Sequence, residues 1–244
     1  MSSELRALAV AAAQRGGRVC LKWFGTPTEV ATKGADGDVV TEVDRAAEEA
    51  VRAVVLEARP DDSLCGEELQ PHTGSSALQW VVDPLDGTTN FVRRLAYFAT
   101  SVAVRDADGE WLAGAVCAPA LGLTWSAAKG LGARLHSAGG SEALPLSLSP
   151  SSARVIGTGL SYDPARRREQ IDRLATLMDG YTDLRRFGAA AIDLCLVAQQ
   201  SLDAFVEDDL ALHDWAAGAL IAEEAGAHVT RPVGESGAVS ARWQ

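Results

Sequence analysis

Trp80-Val81-Val82-Asp83-Pro84-Leu85-Asp86-Gly87-Thr88-Thr89-Asn90-Phe91 is the stretch on which the reading of this chain turns. A short apolar run stops at Asp83. A proline, a second acid, a glycine and two threonines follow. That order is how a buried strand delivers two carboxylates to its carboxyl end. Pro84 and Gly87 supply the fixed and the permissive backbone angles of a turn that aims both acids at one point. Two carboxylates held close together repel unless a proton or a cation sits between them. With Mg²⁺ there, the pair becomes a hard-oxygen metal site. The plainer reading is a strand followed by a polar turn.

Composition narrows the classes. The 244 residues, 47% of them apolar, suffice for one large domain or two smaller lobes with a proper core. A formal net charge of −11 argues against nucleic acid and anionic membrane surfaces as partners, because both are bound through Lys and Arg. The four cysteines, Cys20, Cys65, Cys117 and Cys195, are widely spaced and form no C-x-x-C pair. They read as buried thiols in a reducing, cytoplasmic setting. No run approaches a membrane span. The apolar run from Ala7 to Ala13 is flanked by Glu4 and Arg6. Leu5, Leu8, Ala12, Val19 and Trp23 fall at helical spacing, so it reads as an amphipathic helix rather than a signal peptide.

The pattern predicts a first helix from about Glu4 to Phe24, loosened midway by Gly16-Gly17. A polar hairpin or loop from Thr26 to Gly37 carries Lys33. Thr41 and Asp44 form a capping-box-like start for a second helix from Glu42 to Ala58. Its inward side is Val43, Ala47, Ala50, Val51 and Val54. Ser63–Cys65 is a short strand ending near Glu67. After the Asp83 strand the period changes to two. Ala99–Val104, Trp111–Cys117, Leu123–Ala128 and Ala133–His136 form an antiparallel meander, with a hairpin turn at Asp106-Ala107-Asp108-Gly109. Ser147–Ser152 is Ser/Pro-rich and marks a boundary between an α+β half (1–146) and an α/β half (147–244). In the second half strands Val155–Leu160, Leu184–Phe187 and Ala204–Val206 alternate with helices Pro164–Met178, Ala190–Gln199 and His213–Ala225. The expected fold class is therefore mixed, α+β with α/β.

The chain resembles the inositol monophosphatase family, within the lithium-sensitive, Mg²⁺-dependent phosphatases. Trp80 to Phe91 fits that family's W-[IV]-[IV]-D-P-[IL]-D-G-T-x-N-F signature throughout. The supporting segments are Gly66-Glu67-Glu68, Lys33 with Val39-Val40-Thr41-Glu42-Val43-Asp44, and Asp214-Trp215-Ala216-Ala217-Gly218 running on to Glu224-Ala225-Gly226. The likeness extends from about Leu5 to about Thr230. It implies a layered α-β-α-β-α sandwich with the site between the halves, the two together making one catalytic unit.

The activity implied is hydrolysis of a phosphate monoester, a reaction among the slowest known without a catalyst. Catalysis of this kind is mostly positioning and charge neutralisation. Two cations about 3.5–4 Å apart clamp the attacking water and the leaving oxygen. By resemblance, Glu67, Asp83 and the Leu85 carbonyl hold one Mg²⁺. Asp83, Asp86 and Asp214 hold the second, and a third weaker position lies near Glu67. Thr88, with Asp44 behind it, orients and deprotonates the water, while Glu67 also counts among the catalytic groups. The backbone of Gly87 and Thr88 takes phosphate oxygens. Each residue has a bland counterpart: Asp44 a first-turn helix acid, Thr88 a helix cap, Glu67 and Glu68 solvated loop acids, Asp214 an N-cap. His213 reads as structural and Lys33 as a loop charge balancing the acids.

On the substrate side the resemblance points to Asp86, Gly87, Thr88, Asp214, Gly188-Ala189-Ala190 and Glu207. Ala189 replaces the family's usual Ser or Thr, which removes one side-chain hydroxyl. An acid at Glu207 suits a polyol and disfavours a second phosphate. Inositol 1-phosphate is the favoured substrate. Histidinol phosphate competes, and Thr89, where many histidinol-phosphate enzymes carry Lys, tilts against it. A regulatory binding protein of the same fold is the alternative from another class, since some bacterial relatives engage transcription machinery. A homodimer is expected by analogy. The polar segment from Arg231 to Gln244 is expected to lack the family's last helix or to be loosely ordered.

Overall fold

Trp80 anchors the strand on which the site is built. β4 (Gln79–Asp86) is buried from Trp80 onward. The Trp80 indole N–H donates to Asp62 at 2.8 Å, and Asp62 is itself ion-paired with Arg59. The computed structural model describes residues 1–26, 30–33, 38–147, 151–232 and 237–243, the side chains of 30–33 and 38–41 excepted. The Lys33 side chain, the Thr41 cap and residues 148–150 of the expected boundary lie outside the described residues.

β4 sits second in a seven-stranded sheet of order β3-β4-β5-β6-β7-β8-β9. Its neighbours are β3 (Ser63–Gly66), β5 (Ala99–Arg105), β6 (Trp111–Ala118), β7 (Leu123–Ala128), β8 (Ala133–Ser137) and β9 (Gly140–Ala143). β3 runs parallel to β4 with Gly66 opposite Val82, and every later pair is antiparallel. The parallel register matters for the site. It brings the residues after Gly66 and after Val82, Glu67 and Asp83, to one edge of the sheet.

α1 (Ser2–Trp23) and α2 (Glu42–Ala58) cover one face of this sheet, and β1 (Val30–Lys33) with β2 (Asp38–Thr41) forms a hairpin between them in sequence. Gly16-Gly17 does not loosen α1. The helix is continuous, and both glycines are buried in it. A Cβ on Gly16 would stand 2.7 Å from Thr100 and 2.8 Å from Val51. One on Gly17 would stand 2.8 Å from the Cys117 sulfur. The pair exists so that α1 can lie close on β5, β6 and α2. On α2 the buried apolar residues are Val43, Ala47, Val51 and Val55, so the stripe turns slightly from the expected Ala50 and Val54.

The second sheet has the order β11-β10-β12-β14-β13, from β10 (Val155–Thr158), β11 (Asp183–Arg185), β12 (Ala204–Leu210), β13 (His228–Thr230) and β14 (Gly237–Arg242). α5 (Ala190–Ala198) and α6 (Leu212–Glu224) pack against both sheets and are apolar nearly all round, as helices enclosed on both sides must be. α4 (Pro164–Leu177) lies on the outer face, with Gln170 its one buried residue. The layers are thus α1/α2, sheet, α5/α6, sheet, α4: a mixed α-β-α-β-α sandwich.

Two features depart from the sequence reading. Residues 237–243 are not loosely ordered, while no helix follows α6 among the described residues, in line with the other expected outcome. β14 lies between β12 and β13, Val239 and Ala241 are fully buried, and the Trp243 indole donates to the Val197 carbonyl at 2.7 Å. All four cysteines are free, and Cys20, Cys117 and Cys195 are buried, with burial pushing each thiol's pKa up. Cys65 is only half-buried.

Candidate active site

β3 and β4 end beside α3 (Thr88–Val92), the short helix that the Asp-Gly-Thr turn opens. Gly87 has φ 86°, a left-handed angle that favours glycine, and a Cβ there would come within 3.0 Å of the Tyr97 carbonyl and 3.2 Å of Ala189. The loop is therefore pressed against Gly188-Ala189 of the second half. Asn90 makes the seam specific, its amide donating to the carbonyls of Tyr97 at 2.8 Å and Phe187 at 2.9 Å. Phe91 packs edge-on to Phe98 at 5.1 Å, with Phe24 alongside. Trp80, Gly87, Asn90 and Phe91 thus hold the turn in place, and its acids are left to face the cavity.

The cavity, of about 380 Å³, is bordered by Glu67, Asp83, Leu85, Asp86 and Asp214, the five residues expected to hold metal. Gly87, Thr88, Gly188, Ala190 and Glu207 border it too. Ala189 does not. It is buried, with its methyl group against Gly87, and Gly188 and Ala190 on either side of it border the cavity.

The acids are held by backbone donors. Asp83 Oδ1 accepts from the Leu85 amide at 3.0 Å. Asp86 Oδ2 accepts from the Ala191 amide at 2.8 Å, near the start of α5. Asp214 Oδ2 accepts from the Ala211 amide at 2.6 Å, so the helix-capping role and a place in the cavity coexist. Burial pushes the Asp83 carboxyl well above the usual carboxylate range, and the charges of Glu67, Asp86 and Asp214 push it further. Asp86 is raised the same way, by burial and then by Asp214. Acids that strain against ionisation in a shared pocket fit a divalent cation, which removes the repulsion and rewards oxygen donors. One oxygen each of Glu67 and Asp83 and a ring nitrogen of His213 lie within 4.8 Å of one another. His213, which the sequence reading took as structural, stands 3.8 Å from Glu67 and 3.6 Å from Asp214.

The Thr88 hydroxyl lies 3.2 Å from Asp44 Oδ1 and 2.9 Å from the Leu85 carbonyl. Asp44, in the first turn of α2, is 1% exposed, and Thr88 links it to the cavity. A hydroxyl between a buried carboxylate and the cavity can relay a proton outward or inward.

Further side chains shape the site, and of these only Glu207 carried a signal in the sequence. Glu48, fully buried on α2, accepts from Arg52 at 2.9 Å and from the amides of Glu68 at 2.8 Å and Leu69 at 3.3 Å. It ties down the loop that presents Glu67, and a Cβ on Gly66 would collide with its carboxylate. Glu207 lies over Gly159 in the same manner and stands where β12 breaks register before Leu210. Burial, then the charge of Asp193, push Glu207 up to about 8, against the pull of Arg186. Asp193 accepts from the Tyr97 hydroxyl at 2.5 Å and is pushed to about 7 by burial. Tyr162 also borders the cavity, its hydroxyl 3.1 Å from that of Thr89.

Five alternating layers with buried acids gathered at the sheet ends make a site whose donors suit a divalent cation. The sequence profile of the inositol monophosphatase family matches residues 1–243. The inositol-1-monophosphatase of Mycobacterium leprae is 41% identical over 227 residues, covering 87% of this chain and 76% of the relative. The Nus factor SuhB of Salmonella typhimurium strain LT2 is 36% identical over 228 residues, 91% of this chain and 83% of the relative. The crystal structure of the extragenic suppressor protein suhB from Bartonella henselae superposes with a TM-score of 0.84 at 31% identity, covering 97% and 93% of the two chains. This chain belongs to the inositol monophosphatase family.

Proposed function

We propose that this protein hydrolyses a phosphate monoester with two or three Mg²⁺ ions, and that its substrate is inositol 1-phosphate. The observation that carries the reading is the convergence of Glu67, Asp83, Asp86 and Asp214 on one cavity that Glu207 also borders. Mg²⁺, when bound, neutralises the acids and the phosphate and lowers the pKa of an attacking water. Glu67, Asp83, Asp86, Asp214 and the Leu85 carbonyl are the groups to hold it. Thr88 accepts a proton from the attacking water as its own hydroxyl proton passes to Asp44, 3.2 Å away. The backbone of Gly87 and Thr88 steadies the phosphate oxygens, with Gly188 and Ala190 on the opposite side. Glu207, raised to about 8 in the metal-free protein, can both donate to and accept from the hydroxyls of a polyol.

In this reading residues 1–146 and 147–244 work as one catalytic unit, in a cytoplasmic homodimer. Its partner is a free phosphorylated metabolite rather than nucleic acid or membrane. Among the described residues no helix is long and apolar enough to cross a membrane. The decisive experiment compares kcat/KM for inositol 1-phosphate, histidinol phosphate and adenosine bisphosphate with Mg²⁺, adding Li⁺ as a competitor at a metal position. Preference for the first supports the reading, and preference for histidinol phosphate reassigns the substrate. The relatives named Nus factor SuhB favour a second reading, a regulatory binding protein. No turnover of any phosphate, together with a co-purifying protein partner, would replace the first reading with it.

A further inference from the structure

Among the described residues His213 is the one imidazole that borders the acid cavity. It stands beside Asp214 in the first turn of α6, while Glu67 arrives from the loop after β3 and Asp83 from β4. Three elements thus bring one ring nitrogen and several carboxylate oxygens to a single point. One ligand atom each from Glu67, Asp83 and His213 falls within 4.8 Å of the other two. The ring is 22% exposed and the Glu67 and Asp214 side chains 24% each, so a dissolved ion can reach them.

Spacing tells a counter-charge from a metal ligand. An imidazole paired with a carboxylate closes to about 2.7–2.9 Å between nitrogen and oxygen. His213 Nε2 instead stays 3.8 Å from Glu67 Oε2 and 3.6 Å from Asp214 Oδ1, and among the described residues its ring makes no hydrogen bond. Two donors on one ion, each bonded at about 2.1 Å, stand about 3.4 Å apart at the tetrahedral angle and about 4.2 Å apart when opposite. Both observed distances lie between those limits. The donor types then select the ion. Mg²⁺ takes oxygen ligands and keeps several waters, so an imidazole adds little to its binding. Zn²⁺ takes imidazole nitrogen and carboxylate oxygen together, at about 2.0–2.2 Å.

We propose that Glu67, Asp83 and His213 form a Zn²⁺ site inside the acid cage, with Asp214 Oδ1, 3.6 Å from the ring, as a fourth donor. The site rests on the reading of these acids as a metal cage and adds a nitrogen to it. A Zn²⁺ ion held there takes the Glu67 and Asp83 oxygens expected to hold one Mg²⁺, so the two ions exclude each other at that position. The test is calorimetric titration of the chelator-stripped full chain with Zn²⁺ and, separately, with Mg²⁺, for the wild type and His213→Phe. Spectra of the ¹⁵N-labelled protein follow the imidazole nitrogens, and the His213 signals are those that vanish in His213→Phe. Zn²⁺ should move one ring nitrogen of His213 to the shift of a metal-bound imidazole, and Mg²⁺ should not. His213→Phe should weaken Zn²⁺ binding at least about 100-fold, since even outer partners of a ligand are worth about 10- to 100-fold, and change Mg²⁺ affinity by no more than about twofold. Should His213→Phe fold poorly, as its melting temperature in chelator would show, His213→Ala carries the same comparison. Equal Zn²⁺ affinity in variant and wild type overturns the proposal, as does a His213 ring that Zn²⁺ leaves in place. A wild type that binds neither ion removes the metal cage itself, and this site with it.

Discussion

Asp86 accepts the Ala191 amide while burial and the charge of Asp214 press it towards its protonated form. Replacing it with Asn keeps an acceptor for Ala191 and removes one of the repelling charges. Asp86→Asn should therefore lower Mg²⁺-dependent turnover at least about 100-fold, as expected when a metal ligand is lost, and leave the metal-free melting temperature unchanged or higher. Assays at graded Mg²⁺ and thermal melts in chelator check the two halves; unchanged kinetics would remove Asp86 from the metal site. Glu207→Gln separates the substrate wall from the metal cage. It should raise KM for inositol 1-phosphate more than for a simple aryl phosphate, and equal effects on both would mean that Glu207 touches no sugar hydroxyl.

Among the elements, the β3–β4 edge shows how a loop acid becomes a site residue. Glu67 hangs from a loop that Glu48 holds by two amides and that Gly66 clears for it. Glu48→Ala should cost about 3 kcal/mol, because it leaves the partly buried Arg52 and two amides without their acceptor, and should raise the Mg²⁺ concentration needed for half-maximal activity. α1 offers a contest between two effects of opposite sign. Gly→Ala in a helix interior gains about 1 kcal/mol by propensity, but a methyl at Gly16 would stand 2.7 Å from Thr100 in a packed interface. Overpacking costs about 1–3 kcal/mol, so Gly16→Ala should destabilise, and thermal unfolding gives the sign directly.

The same elements show what a linear reading catches. The meander and the ends of α5 and α6 were legible to within a residue or two because turn residues bound their apolar runs, while β4 runs through Pro84 to Asp86, past the expected stop at Asp83. Gly16 and Gly17 looked like a weak point, since a sequence does not say how near the next layer lies. β9, β13 and β14 are short, and their residues are largely polar or small, so no period announced them. The acids of the turn stood out because they interrupt an apolar run. The roles of Glu48 and Asn90 did not, because the contacts that tie them to the site, with Glu68 and Phe187, span 20 and 97 residues. His213 was set aside for the same reason: only the fold brings it beside Glu67.

For the molecule as a whole, the buried acids make stability depend on pH and on cations together. In the metal-free protein Asp193 and Glu207 are raised to about 7 and about 8, so the folded chain keeps protons that the unfolded chain releases above about pH 4–5. Folding then binds protons. The stabilisation is full below the unfolded values and is lost as pH rises through about 7 to 8. Calorimetry in chelator should show the melting temperature falling from pH 5 to pH 8. Mg²⁺ at about 100 times its dissociation constant should restore about 2.7 kcal/mol and flatten that slope. A melting temperature that rises over this range without metal would contradict the burial of these groups.

β14 joins β12 to β13 although it follows both in the chain. During synthesis β13 leaves the ribosome with no partner waiting, and the outer edge of β12 stays open until Gly237–Arg242 emerges to fill the gap. The second sheet is thus completed by insertion rather than by addition at an edge. Until that moment a nascent chain exposes two strand edges and the apolar floor beneath Val239 and Ala241, which is the surface a chaperone would recognise.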